Sequence, residues 1–136
     1  MRIHIIILTA TLIVLQSGIL LADEAEIGSV KTQAGPVSIV RDGQVLNAAV
    51  RTPLYEKDIV KTGAKGSVGV ILKDDTALSL GPDSELVLAE FMFVPREGKL
   101  SLVTRLLRGT ATFVSGIIAK LAPDNARLET PSPTIG

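Results

Sequence analysis

The chain contains no cysteine and only one histidine, His4, which lies in a segment that we expect to be removed. The rest of the chain therefore lacks the side chains of Ser–His–Asp and Cys–His nucleophile systems and of the usual zinc sites. The absence of cysteine also excludes disulfide bonds and attachment of a lipid through an N-terminal cysteine. We predict no catalytic residue, no cofactor and no metal site.

Aromatic residues and net charge are also scarce. One tyrosine and three phenylalanines are too few for the stacking platforms that bind single-stranded nucleic acid. Basic and acidic residues number 14 each, and removal of Arg2 with the N-terminal segment leaves 13 − 14 = −1. A nearly neutral chain has no field to attract nucleic acid or an anionic membrane, so we predict neither as a partner of the mature chain.

The first 22 residues have the order of a secretory signal peptide: Arg2, an apolar run over residues 3–21, and the small residue Ala22 before Asp23. We predict cleavage between Ala22 and Asp23 and a periplasmic or secreted product. Leu20 occupies a position where signal peptidase prefers a small residue. The alternative is therefore an inner-membrane anchor through residues 3–21, the one case in which a membrane is a predicted partner.

After the acidic residues that follow, apolar and polar residues alternate almost throughout. Val68, Val70 and Leu72 form one such run, and the Asp42-Gly43 pair predicts a tight hairpin between two others. Short strands separated by turn signals at intervals of about 8 to 12 residues are typical of all-β proteins. A longer strand is predicted through residues 100–106, then a turn near Arg108-Gly109 and a returning strand at 111–113.

One segment breaks this alternation, at residues 115–122. Ser115 is placed to cap a helix, Ile117, Ile118 and Leu121 share one helical face, and Pro123 ends it. The pattern predicts one short helix across the end of the sheet. A further strand is predicted at 126–130, with Leu128 facing inward.

Three features resemble functional motifs but favour a structural interpretation. The glycines at positions 63, 66 and 69 lack the lysine–serine pair of a phosphate-binding loop and are interpreted as turn and strand glycines. Asp74 and Asp75 lack the repeated ligands of a calcium loop and are interpreted as a solvated hairpin tip. Ser115 has no histidine to activate it, and Arg108 is interpreted as an exposed turn residue.

The order of short motifs over residues 28–136 resembles the FecR domain family. The most specific are L-x-x-x-D-x-V-x-T-G at 54–63, D-D-T-A-L-S-L-G-P-x-S at 74–84 and T-P-S-P-T-I-G at 130–136. The resemblance implies a periplasmic lobe of short strands, β-solenoid-like or sandwich-like. In family members a short strand follows the terminal motif, so we expect a truncated product with an open strand edge that favours self-association.

The resemblance also implies a role in signalling. In the best-understood members the domain receives a signal from an outer-membrane siderophore receptor, and a cytoplasmic segment passes it to a sigma factor. Here the signal peptide takes the place of that segment, so the chain resembles the standalone secreted members. The resemblance does not by itself imply regulation of a sigma factor.

The leading functional hypothesis is a non-catalytic periplasmic module for protein interaction or sensing, within envelope or iron-uptake signalling. Its expected partner is another envelope protein, bound by strand addition. The alternative is a structural or adhesive module of a larger cell-envelope or surface protein. A carboxylate-based hydrolase is disfavoured, because the acidic residues fall mostly on turns and exposed strand positions.

Overall fold

The computed structural model describes residues 25–131. The predicted signal peptide, its cleavage site at Ala22 and Asp23, the alternative anchor at 3–21 and the end of the terminal motif lie outside the described residues. The strands are β1 (Gly28–Ala34), β2 (Val37–Arg41), β3 (Gln44–Asn47), β4 (Pro53–Leu54), β5 (Ile59–Thr62), β6 (Ser67–Leu72), β7 (Ala77–Leu80), β8 (Glu85–Val94), β9 (Lys99–Arg108), β10 (Ala111–Val114) and β11 (Ala126–Glu129). The helix α1 (Ile117–Leu121) lies between the last two strands, and 3₁₀ turns occupy Pro95–Glu97 and Pro123–Asn125.

The strands form two sheets, which confirms the all-β prediction with one short helix. One sheet has the order β10-β7-β6-β1-β4 and the other the order β11-β9-β8-β5-β2-β3. Neighbouring strands are antiparallel except β11, which runs parallel to β9. Both sheets contribute to a single hydrophobic core, so the lobe is sandwich-like.

The core follows from the alternation seen in the sequence. Every second residue of β6 is buried, namely Val68, Val70 and Leu72, and the residues between them are more exposed. The opposite sheet supplies Leu86 and Leu88 from β8 in the same way. Side chains at alternate positions point to one face of a strand, so the period-two pattern places the apolar residues of both sheets between them.

The hairpin predicted at Asp42-Gly43 is confirmed. Both residues have positive φ, 50° and 76°, as a two-residue turn between β2 and β3 requires. The strand predicted at 111–113 is also present, as β10, but it does not pair with the preceding strand β9. β10 joins β7 in the other sheet, with Phe113 opposite Leu78. Alternation shows that a segment is a strand, but it does not show which strand lies beside it.

The chain crosses between the sheets at Gly109. Its φ is 84°, and a Cβ there would overlap Ser84. The Ser84 hydroxyl accepts a hydrogen bond from the Thr110 N–H at 2.9 Å. Glycine is therefore required here both for its backbone conformation and for the close approach of Ser84, the residue before β8.

The helix was predicted at the right place but with the wrong cap. Its N-cap is Gly116 and not Ser115, and the N-cap residue makes no side-chain hydrogen bond to the helix. Ile118 is fully buried, whereas Leu121 is 64% exposed, so the predicted apolar face is only partly buried. The first N–H groups of the helix are instead bound by a residue 44 positions away, described below.

Candidate functional site

Two buried carboxylates are the first groups to test for chemistry, and Asp58 is one of them. Its side chain is 1% exposed and binds the guanidinium of Arg41 through two contacts, Nε to Oδ1 at 2.9 Å and Nη2 to Oδ2 at 2.7 Å. The Tyr55 N–H donates to Oδ2 at 2.9 Å, and the guanidinium carbon lies 4.6 Å from the centre of the Tyr55 ring. The hydrogen bond to Asp58 raises the pKa of Arg41, which keeps the guanidinium charged.

Asp74 is the second, and the prediction that it lies at a solvated hairpin tip is wrong. It is fully buried. Its Oδ1 accepts from the Thr76 N–H at 3.1 Å, and its Oδ2 accepts from the Thr76 hydroxyl at 2.8 Å and from the Ile118 N–H at 3.1 Å. The helix α1 covers this turn, so only Asp75, with a φ of 69°, is exposed at the tip.

Both carboxylates therefore serve structural roles. All four of their oxygens accept hydrogen bonds from the chain itself, which leaves neither group disposed to move a proton to or from a ligand. Among residues 25–131, no group of three or more His, Cys, Asp or Glu is placed to hold a metal ion. The exposed Arg108 lies 3.6 Å from the Glu85 carboxylate on β8, a surface ion pair.

A cavity of about 420 Å³ lies beside the turn from β1 to β2. Its walls include Pro36, Asn47 and Gly63, and its charged residue, Lys61, pairs with Glu85 at 3.4 Å. Gly63 and Gly66 lie in the adjoining turn and Gly69 lies within β6, as the structural interpretation of these glycines predicted. The cavity brings together no pair of groups that suits acid–base chemistry.

The feature that stands out is an open edge along the second half of β8. The strand pairs with β9 over its whole length but with β5 only near its start, where Val87 faces Ile59. The last backbone–backbone contact on that side links Leu88 to the turn before β5, through the Lys57 N–H and the Asp58 carbonyl. Beyond it, residues 89–94 have a strand neighbour on one side only, among the residues that the structure describes. We call this side of residues 89–94 the β8 open edge.

At this edge a side chain, and not a neighbouring strand, binds an outward backbone N–H group of β8. The carboxylate of Glu56 accepts a hydrogen bond from the backbone N–H of Phe91 at 3.0 Å, in the place where a neighbouring strand would present a carbonyl. The N–H of Phe91 therefore points away from β9. Backbone groups of a strand alternate in direction, so the N–H and carbonyl of Phe93 point to the same open side.

A groove runs beside the β8 open edge. It has a volume of about 270 Å³ and is lined by Ala25, Glu26, Ile27, Lys73 and residues 91–94. Met92 is 44% exposed and Val94 is 39% exposed, and the rings of Phe91 and Phe93 lie 6.5 Å apart. That spacing is close to the repeat of alternate residues in an extended chain, roughly 6.6 Å. We call this feature the β8 groove.

The sequence analysis did not identify this site. Strand β8 continues past Leu88, and Phe91 and Phe93 resume the alternation only after a bulge between Leu88 and Glu90. The bulge adds one residue and shifts the pattern by one position, so the run from 85 to 94 does not read as a single alternating strand. The Arg41–Asp58 pair joins residues 17 positions apart and leaves no local signal.

Comparison of the chain with models of known protein families, with curated proteins and with solved structures finds no match. The resemblance to the FecR domain therefore rests on the motifs at 54–63, 74–84 and 130–136, and it stays a prediction. Within the described part of the chain, no helix has the length and apolar character needed to cross a bilayer.

Proposed function

We propose that the protein is a non-catalytic interaction module of the periplasm that binds an extended segment of another envelope protein. The segment adds as a strand to the β8 open edge and places alternate apolar side chains in the β8 groove. By the FecR-like motifs, the system it serves is envelope or iron-uptake signalling. The non-catalytic character is supported by the absence of cysteine and histidine after residue 22 and by the structural use of Asp58 and Asp74.

One observation carries this proposal: the Glu56 carboxylate binds the outward N–H of Phe91, where the next strand would be. An edge that presents backbone donors and acceptors beside an apolar groove has the two elements of strand-addition sites. Main-chain hydrogen bonds supply affinity, and pockets for alternate side chains supply specificity. An incoming carbonyl would replace the Glu56 carboxylate, which is free to turn into solvent because Glu56 is exposed.

The location is tested by fractionation and N-terminal sequencing. Export with cleavage after Ala22 places the protein in the periplasm with Asp23 as its first residue. A product that retains Met1 and sediments with the inner membrane would replace this location with the anchored alternative. Cleavage matters for the site because the groove begins at Ala25, close to the predicted new terminus.

The binding mode is tested with peptides displayed on phage and selected on the purified protein. We expect the selected sequences to be free of proline and to carry apolar residues at every second position. Binding of a selected peptide should shift the backbone amide resonances of residues 91–94 and of Ile27. N-methylation of every second peptide nitrogen removes hydrogen-bond donors of the peptide without altering the protein. It should abolish binding when the methylated nitrogens face β8, and it should spare binding when they face away from β8.

A pair of variants at one position provides the matched control. Phe93→Pro removes the outward N–H and keeps the ladder to β9, so it should abolish peptide binding. Phe93→Leu keeps the donor and an apolar side chain, so it should bind within about threefold of the unmodified protein, a difference of under 1 kcal/mol. Peptides that bind equally well to both variants, or whose binding survives every N-methylation, would overturn strand addition at this edge.

A further inference from the structure

The edge strand β11 offers a second surface, independent of the β8 groove. In the described residues β11 has a strand neighbour on one side, β9, to which it runs parallel. It contains Arg127 and Glu129 on one face and Leu128 on the other. Leu128 was predicted to face inward, but it is 38% exposed, because nothing in the described residues covers it at this end of the sheet.

The backbone orientation of β11 follows from one contact. The hydroxyl of Thr104 on β9 donates to the carbonyl of Arg127 at 3.4 Å, so that carbonyl faces β9. Because backbone groups alternate in direction, the N–H and carbonyl of Leu128 face away from β9, toward the open side. Leu128 therefore presents one donor and one acceptor at the centre of the exposed edge.

These two groups are self-complementary about a twofold axis at Leu128. In an antiparallel pair of two β11 strands, Leu128 of each copy would exchange both backbone hydrogen bonds with the other. Arg127 of one copy would then lie directly opposite Glu129 of the second, and the reverse pair would form as well. These positions are of the non-hydrogen-bonded type, in which facing side chains come closest.

Within one copy, the basic side chains at this edge outnumber the carboxylates that pair with them. Glu129 binds Arg105 at 3.0 Å and lies 3.8 Å from Arg127, so one carboxylate serves two guanidinium groups. Arg127 is 62% exposed and has the longer of the two contacts. A second copy would give each Arg127 a second carboxylate across the strand pair, an arrangement that stabilises cross-strand pairing.

We propose that β11 is a homodimerisation edge, at which two copies join antiparallel about Leu128 and extend one sheet through both molecules. The occupant is a second copy because an Arg–Leu–Glu strand is complementary in charge to its own antiparallel image. The contact is short, so the dimer is weak and depends on protein concentration. This surface is separate from the β8 groove, and either can fail without the other.

The test exchanges the two charges. Sedimentation equilibrium of the purified protein should show a monomer–dimer equilibrium. Arg127→Glu and Glu129→Arg should each weaken it by about tenfold or more, since like charges would then face each other twice in each dimer. An equimolar mixture of the two single variants should associate as well as the original protein, because every facing pair in the heterodimer is again opposite in charge. The double variant should also self-associate.

Thermal melts of the four proteins control for folding, since all substituted side chains are at or near the surface. A monomer at every concentration would overturn the proposal. Association that is unchanged in the single variants, or a mixture no better than either variant alone, would place the dimer contact elsewhere. None of these three results would bear on the proposed function at the β8 groove.

Discussion

Asp58 and Asp74 are equally inaccessible to solvent, yet their charges are stabilised in different ways. Asp58 faces a cation, Arg41, which remains 27% exposed. Among residues 25–131, no cation lies in hydrogen-bond contact with Asp74, which accepts its bonds from backbone N–H groups and one hydroxyl. A buried carboxylate is costly unless it is paired or fully hydrogen-bonded, and the two residues illustrate both solutions in one small domain.

The difference has a consequence for the fold. The Asp58 pair ties β2 to the turn before β5 within a single sheet. Asp74 ties the turn between β6 and β7 to the start of α1, since its main-chain carbonyl also binds the Ile117 N–H at 2.7 Å. Substitution of the Asp74 side chain would therefore remove the bond to the Ile118 N–H and weaken the link between this turn and α1, although the main-chain bond to Ile117 would remain. Loss of the Arg41 pair would instead break a link within one sheet.

The largest expected effect comes from Asp74→Asn. The amide keeps one acceptor but turns an NH₂ group toward N–H or O–H donors, so at least one buried donor loses its partner. We expect the free energy of unfolding to fall by about 3 kcal/mol, near the upper end for an unsatisfied buried group. Urea denaturation measures this. The matched control is Asp75→Asn, at the exposed neighbour whose positive φ asparagine tolerates. Equal losses in the two variants would contradict the role assigned to Asp74.

Arg41→Met should have the next largest effect. It keeps most of the aliphatic volume but leaves Asp58 buried with only the Tyr55 N–H as a donor. Breaking a fully buried ion pair lowers the free energy of unfolding by several kcal/mol. Because the Arg41 guanidinium is partly exposed, we expect a smaller loss here, about 2 kcal/mol. Arg96→Met, at an exposed position in the Pro95–Glu97 turn, is the control and should unfold at the same urea concentration as the original protein. If Arg41→Met also left the urea midpoint unchanged, the pair would not stabilise the fold.

The sequence predicted the parts of this fold that depend on local pattern. Alternation identified the strand through Val68, Val70 and Leu72, and Asp42-Gly43 identified a hairpin, because both signals lie within a few residues. The sequence analysis failed where a residue makes hydrogen bonds to a segment that is distant along the chain. Nothing near Asp74 indicates that α1 will cover it, and nothing near Glu56 indicates that β8 will need an acceptor. The candidate site was missed for this reason.

Thr76→Val sharpens the comparison at the second carboxylate. Valine matches threonine in shape but removes the hydroxyl that donates to Asp74, while the Thr76 N–H and the Ile118 N–H still bind the carboxylate. We expect a loss of about 1 kcal/mol in the free energy of unfolding, the typical net value of one hydrogen bond. Thr112→Val, at an exposed position on β10, is the control. If the loss equalled that of Asp74→Asn, the hydroxyl would carry the whole interaction and the backbone donors would contribute little.

The smallest expected effect is that of salt concentration on stability. It distinguishes most directly between the ion pair of Asp58 and the neutral hydrogen bonds of Asp74. Mobile ions reach the exposed side of Arg41 and screen its attraction to Asp58, whereas Asp74 is fully buried among neutral donors. The stability difference between the original protein and Arg41→Met should therefore shrink in high salt, by about 0.3 kcal/mol, as partly exposed ion pairs do. The corresponding difference for Thr76→Val should stay constant. Urea midpoints at low and high sodium chloride measure both differences, and comparing each variant with the original protein at the same salt cancels the general effect of salt on folding. A salt response of equal size in the two variants would show that charge screening does not distinguish the Arg41–Asp58 pair from the hydrogen bonds of Asp74.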